Sequence, residues 1–288
     1  MAEKSVAILT DSIACLPGNL VTKHGIRIIP LNFYANGKLY IDGIDVTPSE
    51  AYQLFLRDKE AFKTSSASPG DFLRAYREAL EQGKDILCVL LSSKLSVLYD
   101  TARIAMEQIR EEYPNSLITV LDSQTAAAAK GFITLAAART AEAGKGFLDV
   151  LKTAEEVREK VSLIAYMDTI RYVYRSGRIP KIASVAGSML KIKPVFDFTS
   201  GVPRFLGTVR SKEIGIQRII EGMREKVGKS PVHVAVMHVY DEEEAVRLKE
   251  IVANEFNCVE LWITEFSPLM GYTCGTGTIG LAFYPVVL

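Results

Sequence analysis

The sequence predicts an α/β protein of two domains, each a sheet flanked by helices. Three observations carry this. Strand and helix signals alternate along all 288 residues, the pattern that strand–helix–strand units produce. Apolar runs at 6–10, 85–91 and 117–121 each stop at small hydroxyl or carboxylate residues just before a helical pattern; these are Asp11-Ser12, Ser92-Ser93 and Asp122-Ser123. In an open parallel sheet such strand ends meet in one crevice, the usual place for a ligand. The length itself divides into about two domains of roughly 150 residues.

In chain order, residues 6–10 read as a buried strand and 26–33 as a second. Asn36-Gly37 is a hairpin turn signal leading into 38–41. Thr47-Pro48-Ser49-Glu50 is a capping box with proline at the first helical position, so a helix follows. A polar loop over 63–68 ends in Ser68, which caps a helix whose apolar face is Phe72, Leu73, Tyr76, Ala79 and Leu80. After the strand at 85–91 a helix spans 96–111; the strand at 117–121 and an alanine-rich helix follow.

Helical signal breaks at Gly144-Lys145-Gly146. Phe147, Val150, Leu151, Ala154, Val157 and Val161 then make one long amphipathic helix. The domain boundary is placed near its end, giving residues 1–158 and 159–288. The second domain reads as strand (162–167), helix (168–175), a loop at Ser176-Gly177-Arg178 and a hairpin around Ser200-Gly201. A helix (211–226), a strand (232–239), a helix carrying Ala245, Leu248 and Ile251, and strands at 259–264 and 278–284 complete it.

Composition narrows the function. Lys plus Arg and Asp plus Glu both number 34, so the formal net charge is zero, against a basic groove for nucleic acid. Hydrophobic residues at 48% and charged residues at 24% are the balance of a folded globular chain. The first residues lack a signal-peptide layout, and the weakly polar stretch 125–141 is interrupted by Lys130 and Arg139, so no membrane span is expected. Cys15, Cys88, Cys258 and Cys274 form no C-x-x-C pair, which reads as a reduced, cytoplasmic chain.

No dinucleotide fingerprint, phosphate-binding P-loop or nucleophile elbow is present. His24, His233 and His238 are the only histidines; the last two are five apart on a predicted strand and point to opposite faces. No metal site, catalytic base or cofactor is therefore expected. What the chain offers is hydroxyls beside glycines and helix starts: Thr64-Ser65-Ser66, Ser92-Ser93, and the run from Gly271 through Thr273, Cys274, Gly275 and Gly277 to Thr278. Such loops suit an anion, a carboxylate or a phosphate, although taken singly they are mostly caps and turns. Asp11 and Asp122 read as caps.

Together, Leu9-Thr10-Asp11-Ser12, Lys63-Thr64-Ser65, Ser68-Pro69-Gly70-Asp71-Phe72, Leu91-Ser92-Ser93-Lys94-Leu95-Ser96 and Asp122-Ser123 resemble the DegV family, the FakB-type bacterial fatty-acid-binding proteins. The second half adds Ser176-Gly177-Arg178-Ile179, Lys191-Ile192-Lys193-Pro194, Val209-Arg210 and Gly275-Thr276-Gly277-Thr278-Ile279-Gly280. The resemblance implies a Rossmann-like parallel-sheet domain, followed by an α/β domain with a mixed sheet. It implies a long-chain, palmitate-like fatty acid held between the two. The implied protein is a carrier and not an enzyme. It presents the carboxylate to a separate fatty acid kinase, which makes an acyl phosphate for phospholipid synthesis.

Position by position, the resemblance puts the head group at Thr64 and Ser93, with Ser65, Ser92 and Ser96 as neighbours and Thr273, Gly275 and Gly277 along the same spot. Arg178 and Arg210 match arginines at the pocket mouth. The family's closing motif usually opens with a histidine, where this chain has Thr273, which can donate a hydrogen bond but cannot carry a positive charge. Candidate tail-pocket residues are Ile164, Tyr166, Ile170, Val173, Ile182, Met189, Leu190, Val195, Phe266, Leu269 and Met270; for any single one, plain core packing is the commoner role. The same loops would also serve a phosphate-handling enzyme or a binder of another amphipath.

Overall fold

The computed structural model describes residues 4–58, 62–178 and 192–286. Strand β1 (Val6–Asp11) leads through a short 3-10 turn (Ser12–Ala14) and α1 (Gly18–Lys23) into β2 (Arg27–Ile29). The strand expected over 26–33 is two strands, because Pro30 lacks the N–H that a continuous ladder needs. The second piece, β3 (Asn32–Ala35), turns at Asn36-Gly37 into β4 (Lys38–Ile41). Both turn residues have positive φ, 51° and 76°, which matches a hairpin to the strand twist.

Helix α2 (Pro48–Arg57) starts on the expected capping box of Thr47 and Glu50. Lys63–Ser65 is strand β5, where a loop was expected; three polar residues show no alternation, and pairing with β3 makes the strand. Helix α3 (Pro69–Glu81) starts on a second box, Ser68 with Asp71. Then come β6 (Asp85–Leu90), α4 (Leu98–Glu112), β7 (Ile118–Asp122), α5 (Ala127–Glu142) and α6 (Phe147–Lys160). The second half runs β8 (Ser162–Tyr166), α7 (Arg171–Arg175), β9 (Lys193–Thr199), β10 (Val202–Val209), α8 (Lys212–Val227), β11 (Val232–His238), α9 (Glu242–Glu255), β12 (Cys258–Glu265), α10 (Pro268–Cys274) and β13 (Ile279–Pro285).

These strands build a parallel sheet ordered β2-β1-β6-β7, an antiparallel sheet ordered β4-β3-β5, and a mixed sheet ordered β10-β9-β8-β13-β11-β12. In the mixed sheet only β11 and β12 run parallel; the other neighbours are antiparallel. The fold is thus α/β, with a parallel sheet in the first half and a mixed sheet in the second.

Helix α5 joins the two. It packs on β1 and β6 of the parallel sheet and on β8, β11 and β13 of the mixed sheet. Every residue from Ala127 to Ala138 is buried. Small residues permit this: a Cβ at Gly131 would sit 2.6 Å from the Ala14 carbonyl oxygen. Inside the helix, Lys130 Nζ lies 2.5 Å from Asp11 Oδ1, both side chains fully buried. Burial pushes the Lys130 ammonium below its usual range, and the Asp11 carboxylate opposes this. A bidentate contact from Arg139 on α5 to Glu260 on β12, at 2.8 and 3.0 Å, ties the halves again.

Candidate functional site

The C-terminal ends of β1, β6 and β7 lie side by side, since these strands are parallel neighbours. Asp11 Oδ1 accepts the Ile13 N–H at 2.8 Å and caps the 3-10 turn, while its Oδ2 accepts the Leu91 N–H at 3.3 Å. Ile13 and Leu91 thereby become two walls of a cavity of about 540 Å³. Volumes of roughly 300–1,000 Å³ are the range of small-molecule sites.

Hydroxyls contribute to the lining of this cavity: Thr64, Ser65 and Ser66 from β5 and its end, Ser93 and Ser96 from the loop after β6, Ser176 after α7, and Thr273 from α10. Ser66 Oγ is buried and has no hydrogen-bond partner among the described residues. Ser93 donates its hydroxyl proton to Asp122 Oδ2 at 2.6 Å. Ser96 Oγ accepts from the Leu98 N–H, and the Thr273 hydroxyl donates to the Leu269 carbonyl one helical turn back. The segment containing Thr273 was expected as a loop and is the end of α10. The rest of the lining is largely apolar, including Leu31, Leu98, Val173, Phe198, Leu269 and Met270. Lys94, Asp100 and Arg178 line it from exposed positions.

Several expected site residues sit elsewhere. Ser92 is buried behind the wall, where its hydroxyl donates to the Gly201 carbonyl at 2.7 Å. Gly201, at φ 86°, is the turn of the β9–β10 hairpin; a Cβ there would lie 2.8 Å from Ser92 Oγ. Gly275 lies against the Tyr172 ring and Gly277 against Asp168, so neither lines the cavity. Arg210 is exposed just past the end of β10, seven residues from the lining residue Pro203. At about 3.3 Å per strand residue, that is on the order of 20 Å away.

Of the tail candidates, Val173, Leu269 and Met270 line the cavity. Ile164, Tyr166 and Val195 do not: they point to the opposite face of the mixed sheet, into a separate core with Ile216, Ile219 and Ile220 of α8. Ile170 and Phe266 are buried in the main core. Ile182, Met189 and Leu190 lie outside the described residues. Sequence reading missed the walls Ile13, Leu31, Leu91, Leu98 and Phe198, and the Asp122 carboxylate behind Ser93. Only the last carried a signal, since Ser93 and Asp122 end two of the three matched strands.

Cys274 also lines the cavity, but burial pushes its thiol up to about 12, so it stays protonated and a poor nucleophile. Among the described residues, no group of three or more His, Cys, Asp or Glu side chains is placed to hold a metal ion. Among them, too, no helix is long and apolar enough to cross a membrane.

A family model described as "Uncharacterised protein, DegV family" matches residues 5–286. The chain belongs to the DegV family. It is 32% identical over 281 residues to a DegV domain-containing protein of Clostridium perfringens, covering 97% of this chain and 98% of the relative. Among solved structures, it is similar to a DegV family protein from Thermus thermophilus described by its fatty acid binding, at 28% identity and a TM-score of 0.88, covering 98% of this chain and 100% of the other. It is equally close in shape to DegV from Bacillus subtilis, described as a fatty acid binding protein, at 27% identity, a TM-score of 0.88 and the same coverage.

Proposed function

We propose that this DegV protein is a carrier of long-chain fatty acids and not an enzyme. It holds the acid between two lobes, residues 1–158 and 159–288, with the carboxyl end at the hydroxyls of Thr64, Ser65, Ser66, Ser93, Ser96 and Thr273. Val173, Leu269 and Met270 contact the tail. Arg178 stands at the rim, where a separate fatty acid kinase docks to convert the carboxyl group to an acyl phosphate for phospholipid synthesis in the cytoplasm.

The observation that supports this is the mixed lining of the cavity, hydroxyls together with apolar side chains. Each buried methylene contributes about 0.8 kcal/mol, so the tail supplies most of the affinity. The head loses hydration on entering and needs polar partners in return. Native mass spectrometry of protein purified from a bacterial host should detect an adduct of fatty-acid mass, and delipidated protein should take up palmitate. A phosphorylated metabolite in its place, or no uptake of any long-chain acid, overturns the reading. For the kinase step, Thr273→His should raise acyl-phosphate formation in the presence of the kinase; an unchanged rate means that position 273 does not limit transfer.

A further inference from the structure

Ser93 lines the cavity, yet its proton is directed away from it. The hydroxyl donates to Asp122 Oδ2 at 2.6 Å, and the Ser93 N–H reaches both Asp122 oxygens at 3.3 Å. Asp122 Oδ1 also accepts the Gln124 N–H at 2.8 Å, which fixes the carboxylate from its other side. Strand register imposes this meeting: Asp122 pairs with Leu90, and Ser93 follows three residues later on the neighbouring chain segment.

A serine hydroxyl has one proton to give. With that proton on Asp122, Ser93 Oγ turns only lone pairs toward a ligand. Thr273 is committed in the same way to the Leu269 carbonyl, at 3.2 Å. An ionised carboxylate head has no proton either. Placed on Ser93, it would stand one hydroxyl away from a second carboxylate, and like charges so close favour protonation of one.

Resting on the acid-carrier reading above, we propose that Asp122 makes Ser93 an acceptor toward the ligand, so that the acid is taken up together with one proton and heads that cannot hold a proton are refused. The balance is simple. Near neutral pH the free acid carries a negative charge, and the ionised head and the Asp122 carboxylate are the two partners that meet. The complex holds one proton more than the two apart, drawn from water and placed along the line from ligand oxygen through Ser93 Oγ to Asp122. Only O–H bonds change. Asp122 is a positioning residue, since it reaches the ligand through Ser93.

The other charged groups facing the cavity are Lys94 from the loop after β6, Asp100 from α4 and Arg178 from the segment after α7. All three are exposed, where solvent screens them. Lys94 Nζ donates to the Ser200 carbonyl and Arg178 Nη1 to the Ser176 carbonyl, at 3.1 and 3.0 Å. Helix α10 adds only the Cys274 thiol, and β5, β9 and β10 add no charged side chain to the described lining.

The test is calorimetric titration with three twelve-carbon probes: dodecanoic acid, dodecanol and dodecanesulfonate, in buffers of different ionisation enthalpy. Dodecanoic acid should bind with uptake of one proton, its affinity falling about tenfold per pH unit between about pH 6 and pH 8. Dodecanol should bind with no pH dependence. Dodecanesulfonate, which stays ionised, should bind at least tenfold more weakly than the acid at the lower pH. Asp122→Asn should flatten the acid's profile and let the sulfonate in. If that variant does not fold, Ser93→Ala, which breaks the line, should flatten it as well. Firm binding of the acid with no proton uptake, or sulfonate bound as well as acid, overturns the proposal and leaves the carrier reading intact. Failure of every probe, dodecanol included, removes both.

Discussion

The two faces of the mixed sheet both bury apolar side chains and are differently used. One face packs on α8 and α9 as a closed core of Ile164, Tyr166, Val195, Ile219, Val234 and Leu281. Helix α8 comes close because it has glycines there: a Cβ at Gly215 would lie 2.2 Å from the Tyr166 ring, and one at Gly222 would lie 2.7 Å from Ile164 Cδ1. The other face carries Leu163 and Met167, merges with the core of the parallel sheet, and gives way at its rim to the cavity. Hydrophobicity does not separate a wall from a filling. Position along the strand does, because neighbours in a strand point to opposite faces.

Four substitutions and one change of pH would break or sharpen this contrast. The largest effect belongs to the shared core. Lys130→Met leaves the buried Asp11 charge without its cation and should cost about 3–5 kcal/mol, read as a fall in the urea midpoint. A loss under about 1 kcal/mol would mean that water reaches Asp11. Next, Ile164→Ala on the closed face should cost about 2–5 kcal/mol of stability. Its folded fraction should bind palmitate as the parent does; weakened binding would put Ile164 back at the ligand.

On the cavity side the signature inverts. Thr64→Ala should leave the melting temperature near that of the parent and weaken palmitate binding by about 0.5–1.5 kcal/mol, the range for a hydrogen bond to an uncharged group. Equal lipid retention would remove Thr64 from the head-group site. The smallest effect is pH-dependent. Burial works against the Glu260 charge, but hydrogen bonds from His233 and Arg139 more than offset it and hold the carboxyl at about 2 against an ordinary 4.5. A depressed carboxylate contributes fully above its unfolded value and less as pH falls through the folded one. The tie between α5 and β12 should therefore weaken from about pH 4.5 down to about pH 2, and Arg139→Ala should make the acid loss shallower.

Much of this was legible before any coordinates. The caps at Thr47 and Ser68, the Asn36-Gly37 turn and the three polar strand ends are local signals with local causes. They sufficed for the sheet-and-helix order and for the meeting of β1, β6 and β7 at one rim. What escaped reading depends on distant partners. Strand β5 exists through β3, and Ser92 faces away because the Gly201 turn reaches it. Ile13, Leu31 and Phe198 are ordinary core residues in the sequence, and only the fold brings them to one hollow. Gly275 and Gly277 follow within three residues of Cys274, which lines the cavity, yet the chain turns there and sends them against Tyr172 and Asp168.

Helix α5 is gripped by both sheets over its first twelve residues, from Ala127 to Ala138. A clamshell motion of the lobes would have to pull this spindle out of one of its two sockets and wet a dozen side chains at once. Under the carrier reading, a guest would therefore have to come and go through local rearrangement at the lip, while the body of the molecule keeps its shape. Amides of α5 should accordingly be among the last in the protein to exchange with deuterium, whether the hollow is empty or full.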